Sequence, residues 1–317
     1  MQQRFTSVRL IGNNREQYDE DPGGIALTRP IKRLCLGLSG SMQGAVAAWI
    51  IAVAAGISVL CLVAPENLPA QGRQEKARQL LEKCLEAVGG EAFLSIRTLK
   101  QTGRAYSFYR TDLRALAVIT IFNEYGPPEE NEDPDWLPVS RREVYTEKGD
   151  YYTLFQNGTG WEITYLGARP LPEDTVQRYR ISTRRDIFHI LRYRLDEPGM
   201  YFYYAGTEII SNVPTHAVEI TDSENEKVTV YLRMPDNLPV QQVYLRRDPK
   251  TRIPYEEKSI YSKYRKVGAT MIPWNVQHVR DEERIFELFG RTAEINGKVP
   301  GDTFRLNNSM KVLPPAD

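Results

Sequence analysis

Val228-Thr229-Val230-Tyr231-Leu232-Arg233-Met234 alternates residue by residue: Val228, Val230, Leu232 and Met234 fall on one side, Thr229, Tyr231 and Arg233 on the other. A period of two is the signature of a β-strand with one face turned to a core. Working outward, His216, Val218 and Ile220 alternate with Ala217, Glu219 and Thr221 in the same way. Further strand-like runs lie at 97–109, 115–124, 140–147, 150–156, 160–166, 200–210, 240–248, 255–266 and 272–280. Turn-forming residues separate them, among them Asn157-Gly158, Asn212, Pro235-Asp236-Asn237 and Asp248-Pro249-Lys250. Many strands at short intervals predict an antiparallel meander that needs a covering layer or exposes a groove.

Two helices break the pattern. From Gln74 to Val88, Ala77, Leu80, Leu81, Cys84, Leu85 and Val88 recur along one helical face, and Gly89-Gly90 supplies the C-terminal stop. Cys84 on that face reads as a packed thiol, since it has no disulfide or metal partner at a suitable spacing. A second helix is expected over 183–195, opened by the capping-box pattern Thr183-x-x-Asp186 and striped by Ile187, Ile190, Leu191 and Leu195. Arg184, Arg185, Arg192 and Arg194 are then expected on a solvated outer face, with contact to anionic lipid as the other reading. Residues 126–138, rich in Pro and acids, form a long hairpin loop in which Trp136 packs on the surface or serves as a lid.

The N-terminal part is different in kind. Gly44 to Ala64 is 21 residues without a charge, an apolar helix of about 30 Å that matches the hydrocarbon core of a bilayer. Arg29, Lys32 and Arg33 precede it and Glu66 follows, which places the N-terminus in the cytoplasm and the remainder outside. The segment is either a single-span anchor or a signal peptide. The cleavage site before Gln71 is poor, because Leu68 is large at its −3 position. Lipid attachment at Cys61 is disfavoured by Leu60 directly before it. The division expected is therefore a polar cytoplasmic tail or misassigned start at 1–41, a signal or anchor segment at 42–70 and one β domain at 71–317. The location is the periplasmic side of the inner membrane, or the periplasm if the segment is cut.

The chain has 41 basic and 41 acidic residues, and the part after residue 70 stays close to neutral. That leaves no electrostatic footprint for nucleic acid, despite the run Tyr201-Phe202-Tyr203-Tyr204. The three histidines, His189, His216 and His278, sit in no metal-ligand or catalytic spacing, and no nucleotide or nucleophile-elbow motif occurs. Nothing points to a cofactor or a catalytic residue. The sequons at Asn157 and Asn307 read as turns.

Four passages together resemble the LolA/LolB-type lipoprotein carriers and the broader outer membrane lipoprotein-sorting proteins of bacteria. They are the opening helix into Ala87-Val88-Gly89-Gly90 with Phe93, Ile96, Leu99 and Gly103; the hairpin Gln156-Asn157-Gly158-Thr159-Gly160-Trp161; Tyr261 to Gly268 followed by Ile272-Pro273; and Ile295 to Phe304. The resemblance covers roughly 73–306. It implies an α+β fold in which a strongly curved antiparallel sheet, an incomplete barrel, is covered by a few helices around an apolar cavity for acyl chains. The expected function is a non-enzymatic binder of lipid or lipoprotein acyl chains, with the membrane and an envelope protein as further partners. Candidate cavity liners are Val218, Ile220, Val228, Val230 and Leu232; the same face reads equally as packed core. The alternatives are an accessory envelope domain without ligand and a hydrolase with a dispersed site.

Overall fold

A computed structural model describes residues 70–110, 112–127, 137–248, 251–307 and 309–315. The apolar segment 44–64, the 1–41 tail, Trp136 and the acids at 129–135 lie outside the described residues. Among the described residues no helix is long and apolar enough to cross a membrane.

Helix α1 (Ala70–Val88) and the short α2 (Glu91–Leu94) lead into six strands: β1 (Thr98–Tyr109), β2 (Asp112–Tyr125), β3 (Val139–Val144), β4 (Tyr152–Gln156), β5 (Thr159–Thr164) and β6 (Gly167–Pro170). A helical passage follows, made of α3 (Glu173–Arg185), α4 (Ile187–His189) and a π-turn over Ile190–Arg194. Seven strands complete the chain: β7 (Tyr201–Ile210), β8 (Val213–Thr221), β9 (Lys227–Arg233), β10 (Pro239–Arg247), β11 (Pro254–Val267), β12 (Thr270–Arg280) and β13 (Glu283–Ile295). They form one sheet in the order β6-β5-β4-β3-β2-β1-β13-β12-β11-β10-β9-β8-β7. Every neighbouring pair is antiparallel. The sheet does not close, because its edges β6 and β7 are not paired to each other. This is the expected curved, incomplete barrel with a few helices.

Curvature is visible in the side chains. Ala105 on β1 and Ile119 and Ile121 on β2 form a cluster into which Tyr145, just past β3, packs together with Phe286 and Leu288 on β13. At the centre Gly103 permits close approach: a Cβ there would lie 2.3 Å from the Phe289 carbonyl oxygen.

Helix α1 lies along β7 and buries Ala77, Leu80, Leu81, Cys84 and Val88, the face its spacing predicts. Arg73, Lys76 and Arg78 of its first turns stand over the rings of Tyr203, Tyr204 and Phe202. The opposite, convex face carries a second cluster, Val144, Tyr152, Leu154, Ile163 and Ala168, covered by Leu306 and Met310 of the C-terminal tail. The tail then runs parallel to β6, with Ala168 N–H donating to the Lys311 carbonyl at 2.9 Å and Leu313 N–H to the Ala168 carbonyl at 2.8 Å.

The helix expected at 183–195 is corrected. Helix α3 begins ten residues earlier, and the chain breaks at Asp186, which is extended (ψ 131°). Asp186 itself is the N-cap, accepting from Phe188 and His189 N–H; Thr183 caps nothing here. Its arginines are not on a solvated face either. Arg192 donates to the Leu94 and Phe93 carbonyls and stacks between Phe93 and Tyr125, while Arg194, 5% exposed, pairs with Glu197 and Asp222. Strands β6 and β13 were also not among the expected runs. The turn reading of the sequons holds: Asn157 has φ 48°, and the Asn307 side chain accepts from Ser309 N–H at 2.9 Å.

Candidate functional site

Register fixes what shares the concave face. Phe286 is opposite His278, His278 opposite Ser259, Ser259 opposite Gln242, and Gln242 opposite Val230, which faces Val218. On the other arm, Ile121 is opposite Glu143 and Asn123 opposite Arg141. Directly paired residues point to the same side of a sheet. The five candidate liners and the groups Arg141, Glu143 and His278 therefore belong to one concave surface.

The two regions of that surface are filled differently. Val218, Val230 and Leu232 are 0% exposed, and Ile220 and Val228 are buried as well. No water-sized space touches the first three; Leu81, Cys84, Ile190 and Leu191, equally buried, belong to the elements above. Further along, the side chains retain accessible surface. His278 is exposed, although desolvation by its surroundings is the main reason its pKa is lowered. Arg141 and Glu143 keep 32% and 21% of their side-chain surface. These side chains form the less fully packed part of the concave face. Val276, Phe286 and Leu288, all half-buried, share the wall with His278. Phe188 and Tyr179 approach from the helical side: Phe188 meets the Tyr261 ring edge-on at 5.3 Å, and Tyr179 stacks on Phe155 at 3.9 Å.

The polar part of the wall is hydrogen-bonded. Arg141 Nε donates to Glu143 at 2.6 Å, and Tyr145 Oη donates to the other Glu143 oxygen at 2.6 Å. Desolvation works against both charges, but each outweighs it for the other: Glu143 is held below the usual carboxylate range and Arg141 above its ordinary value. Tyr179 and Tyr151 are pushed up to about 12 by burial, so both are neutral phenols at physiological pH. Asp186 is raised by burial, against the hydrogen bonds it accepts from Tyr261 Oη and the α4 backbone.

Ser259 Oγ lies 3.1 Å from His278 Nδ1. Among the described residues no carboxylate hydrogen-bonds the His278 ring. His216 instead contacts Tyr204, and His189 is buried against Tyr193. Among the described residues no three His, Cys, Asp or Glu side chains are placed to hold a metal ion. A separate recess of about 400 Å³ lies at the convex edge, between the β5–β6 turn and Met310.

No protein-family model matches the sequence, and no curated protein is detectably similar to it. Solved structures do match. An outer membrane lipoprotein-sorting protein domain from Vibrio parahaemolyticus superposes with a TM-score of 0.50 over 73% of this chain and 97% of that one, at 8% identity. The fold is that of the lipoprotein-sorting proteins. A DUF1329 family protein from Desulfovibrio piger (TM-score 0.49, 10% identity, 74% and 97% covered) and a LolA superfamily protein from Nitrosomonas europaea (0.43, 12%, 72% and 96%) are more distant. The likeness extends to architecture alone. The carrier-fold resemblance did not identify Arg141, Glu143 or His278, because they alternate with other polar residues and only the sheet register brings them to one face.

Proposed function

We propose that this chain binds acyl chains of lipids or lipoproteins in the cell envelope, without catalysing a reaction on them. The observation that supports the reading is the partly accessible concave face of the sheet, where the apolar Phe286, Leu288 and Val276 stay half-buried. Burying an alkyl chain gains about 0.8 kcal/mol per CH₂, so such a face retains a ligand with no reactive group. Val218, Ile220, Val228, Val230 and Leu232 continue that face beneath α1 and would meet a chain long enough to displace the helix. The apolar segment 44–64 supports a place at the membrane, as an anchor on the periplasmic side or as a leader that sends the domain to the periplasm. An envelope protein is the expected donor or acceptor, and charge balance argues against nucleic acid.

The rival reading is an accessory envelope domain with no ligand, which the complete packing at Val218, Val230 and Leu232 favours. Solvent extraction of the full-length chain followed by mass spectrometry separates the two. Stoichiometric co-purifying lipid supports the carrier reading. Absence of lipid together with no uptake of a fluorescent fatty acid ester overturns it.

A further inference from the structure

Both outer edges of the sheet are covered. The C-terminal tail lies along β6, and α1 lies along β7, with Arg73 donating to the Tyr204 carbonyl at 3.5 Å. An open ladder is found elsewhere, in the middle of the sheet order. The pairing of β2 with β3 stops at Thr120 opposite Val144, and the chain past Val144 turns away, Tyr145 N–H donating to the Tyr151 carbonyl at 3.0 Å. Strand β2 nevertheless continues outward to Asp112 beside β1. From Asp112 to Ile119 it has a strand partner on one flank only among the described residues. Its pairing with β1 keeps this stretch extended, so the N–H and C=O groups of the other flank are aligned for a further strand.

The side chains on this flank suit such an addition. Leu116 is opposite Tyr106, Val118 opposite Arg104 and Leu113 opposite Phe108, all on the convex side, away from the cluster of Ala105, Ile119 and Ile121. Leu113 and Leu116 are 54% exposed and Val118 50%. The rings beside them are covered by cations, Phe108 by Arg284 and Phe289 by Lys263, whereas the aliphatic row is left open. From Ala115 to Thr120 there is no charge and no proline, the usual devices that block an edge. Between Arg104 and Thr120 the ribbon carries three arginines, Arg104, Arg110 and Arg114, against one acid, Asp112. Arg110 and Arg114 both lie against the Tyr109 ring at its tip.

We propose that this flank of β2 is a docking site for an extended segment of a partner protein, apolar at alternate positions and acidic at the end that reaches the hairpin tip. The partner's main chain completes the open ladder, its alternate side chains cover Leu116 and Val118, and its carboxylates meet Arg110 and Arg114. A bilayer surface would suit the apolar row and the arginines but not the ladder, because lipid offers no partner to backbone N–H and C=O groups. The site is independent of the acyl-chain reading above, since its apolar row is on the opposite face of the sheet from His278.

The test uses the full-length chain and a fluorescent peptide, Glu-Val-Thr-Val-Thr-Val-Thr-Glu, blocked at both termini, so that either direction brings an acid to the tip. Saturable binding by anisotropy is expected, with slowed amide exchange between Leu113 and Ile119 and unchanged exchange in β11. A peptide with proline for each threonine cannot continue a ladder, and one with lysine for each glutamate meets the arginines with like charge; both are expected to bind at least about tenfold more weakly. Leu116→Glu and Val118→Glu, at exposed positions, are expected to weaken binding by a similar factor and to leave the urea midpoint near that of the parent. Arg114→Ala is expected to weaken the glutamate peptide and not the lysine one. Failure of the glutamate peptide to bind, or binding without slowed exchange along β2, overturns the proposal. Protection of the same amides that rises with protein concentration in the absence of peptide gives the flank to a second copy of the chain and overturns it as well. So does slower trypsin cleavage after Arg110 and Arg114 in phosphatidylglycerol than in phosphatidylcholine vesicles, with Lys298 as the control site and no peptide bound, which gives the patch to lipid.

Discussion

Asp186 and Tyr261 join the helical cover to the sheet: the phenol donates to one carboxylate oxygen at 3.0 Å, while the other oxygen takes the Phe188 N–H at 2.9 Å. One side chain thus caps α4 and fixes it over β11. Asp186→Ala is expected to lose the cap, about 1 kcal/mol, and to strand the buried Tyr261 hydroxyl, about 1–3 kcal/mol more. Tyr261→Phe loses only the hydrogen bond. A urea-melt cycle over the two single variants and the double is expected to be non-additive; additivity removes the link. The pH dependence has a definite sign. Burial raises the Asp186 pKa, so the native state holds a proton where the unfolded chain has released it, and stability falls as pH rises through that interval. Asp186→Asn is expected to flatten the fall.

His189 acts in the opposite direction. Its pKa is pushed down to about 3 by burial and then by Arg194, Arg184 and Arg192. Below about 6.5 the unfolded chain takes up a proton that the native chain refuses until about 3. Stability is therefore lost as pH falls through this window, by up to about 1.4 kcal/mol per unit. His189 Nδ1 is buried and makes no hydrogen bond among the described residues, so His189→Phe sacrifices none there. The variant is expected to show a shallower acid limb in denaturant midpoints taken between pH 6.5 and 4. An unchanged limb places the acid sensitivity elsewhere.

Gly167 holds the C-terminal tail. Its φ is +137°, and a Cβ would lie 2.2 Å from the Lys311 carbonyl oxygen. Gly167→Ala is expected to detach 311–313 from β6 without unfolding the sheet. Amide exchange at Leu313 and Ala168 then speeds up, while that of β11 and β12 stays as in the parent. Unchanged exchange at both amides refutes it.

Cys84 reports on α1. Its thiol is 0% exposed, and burial raises its pKa above the ordinary value. Alkylation at Cys84, followed by peptide mass, is expected to proceed only through lifting of the helix. Leu81→Ala, a core truncation worth roughly 2–5 kcal/mol, is expected to speed it at least tenfold. Acceleration by methyl dodecanoate would place the chain beneath α1, against Val218 and Val230. An unchanged rate with bound ester confines the ligand to the concave face beside His278.

The legible and illegible parts differ for physical reasons. Period-two runs were readable wherever one face met the core, as at Val228, Val230 and Leu232. Strand β13 was not, because a bulge interrupts its pairing with β12 and Glu287, 5% exposed, sits buried on a polar network with Asn275 and Gln277. Helix α3 carries no apolar stripe; of its residues only Thr175 and Val176 are buried. With so few apolar contacts its sequence reads as a loop. Apolar alternation marked the packed end of the concave surface, whereas the accessible end is built from Arg141, Glu143 and His278, whose convergence depends on curvature across many strands.

The sheet order places the first strand beside the last, which is central, with Leu99 opposite Ile295. Strands β1 to β6 can zip locally as they emerge from synthesis or export, and so can β7 to β13. The seam between the halves closes over a separation of nearly two hundred residues, the slow kind of contact in folding. Until it closes, β1 and β13 each present an unpaired flank, the usual template for misassociation. A chain that lacks β13 is thus not a smaller copy of this domain but two open ribbons.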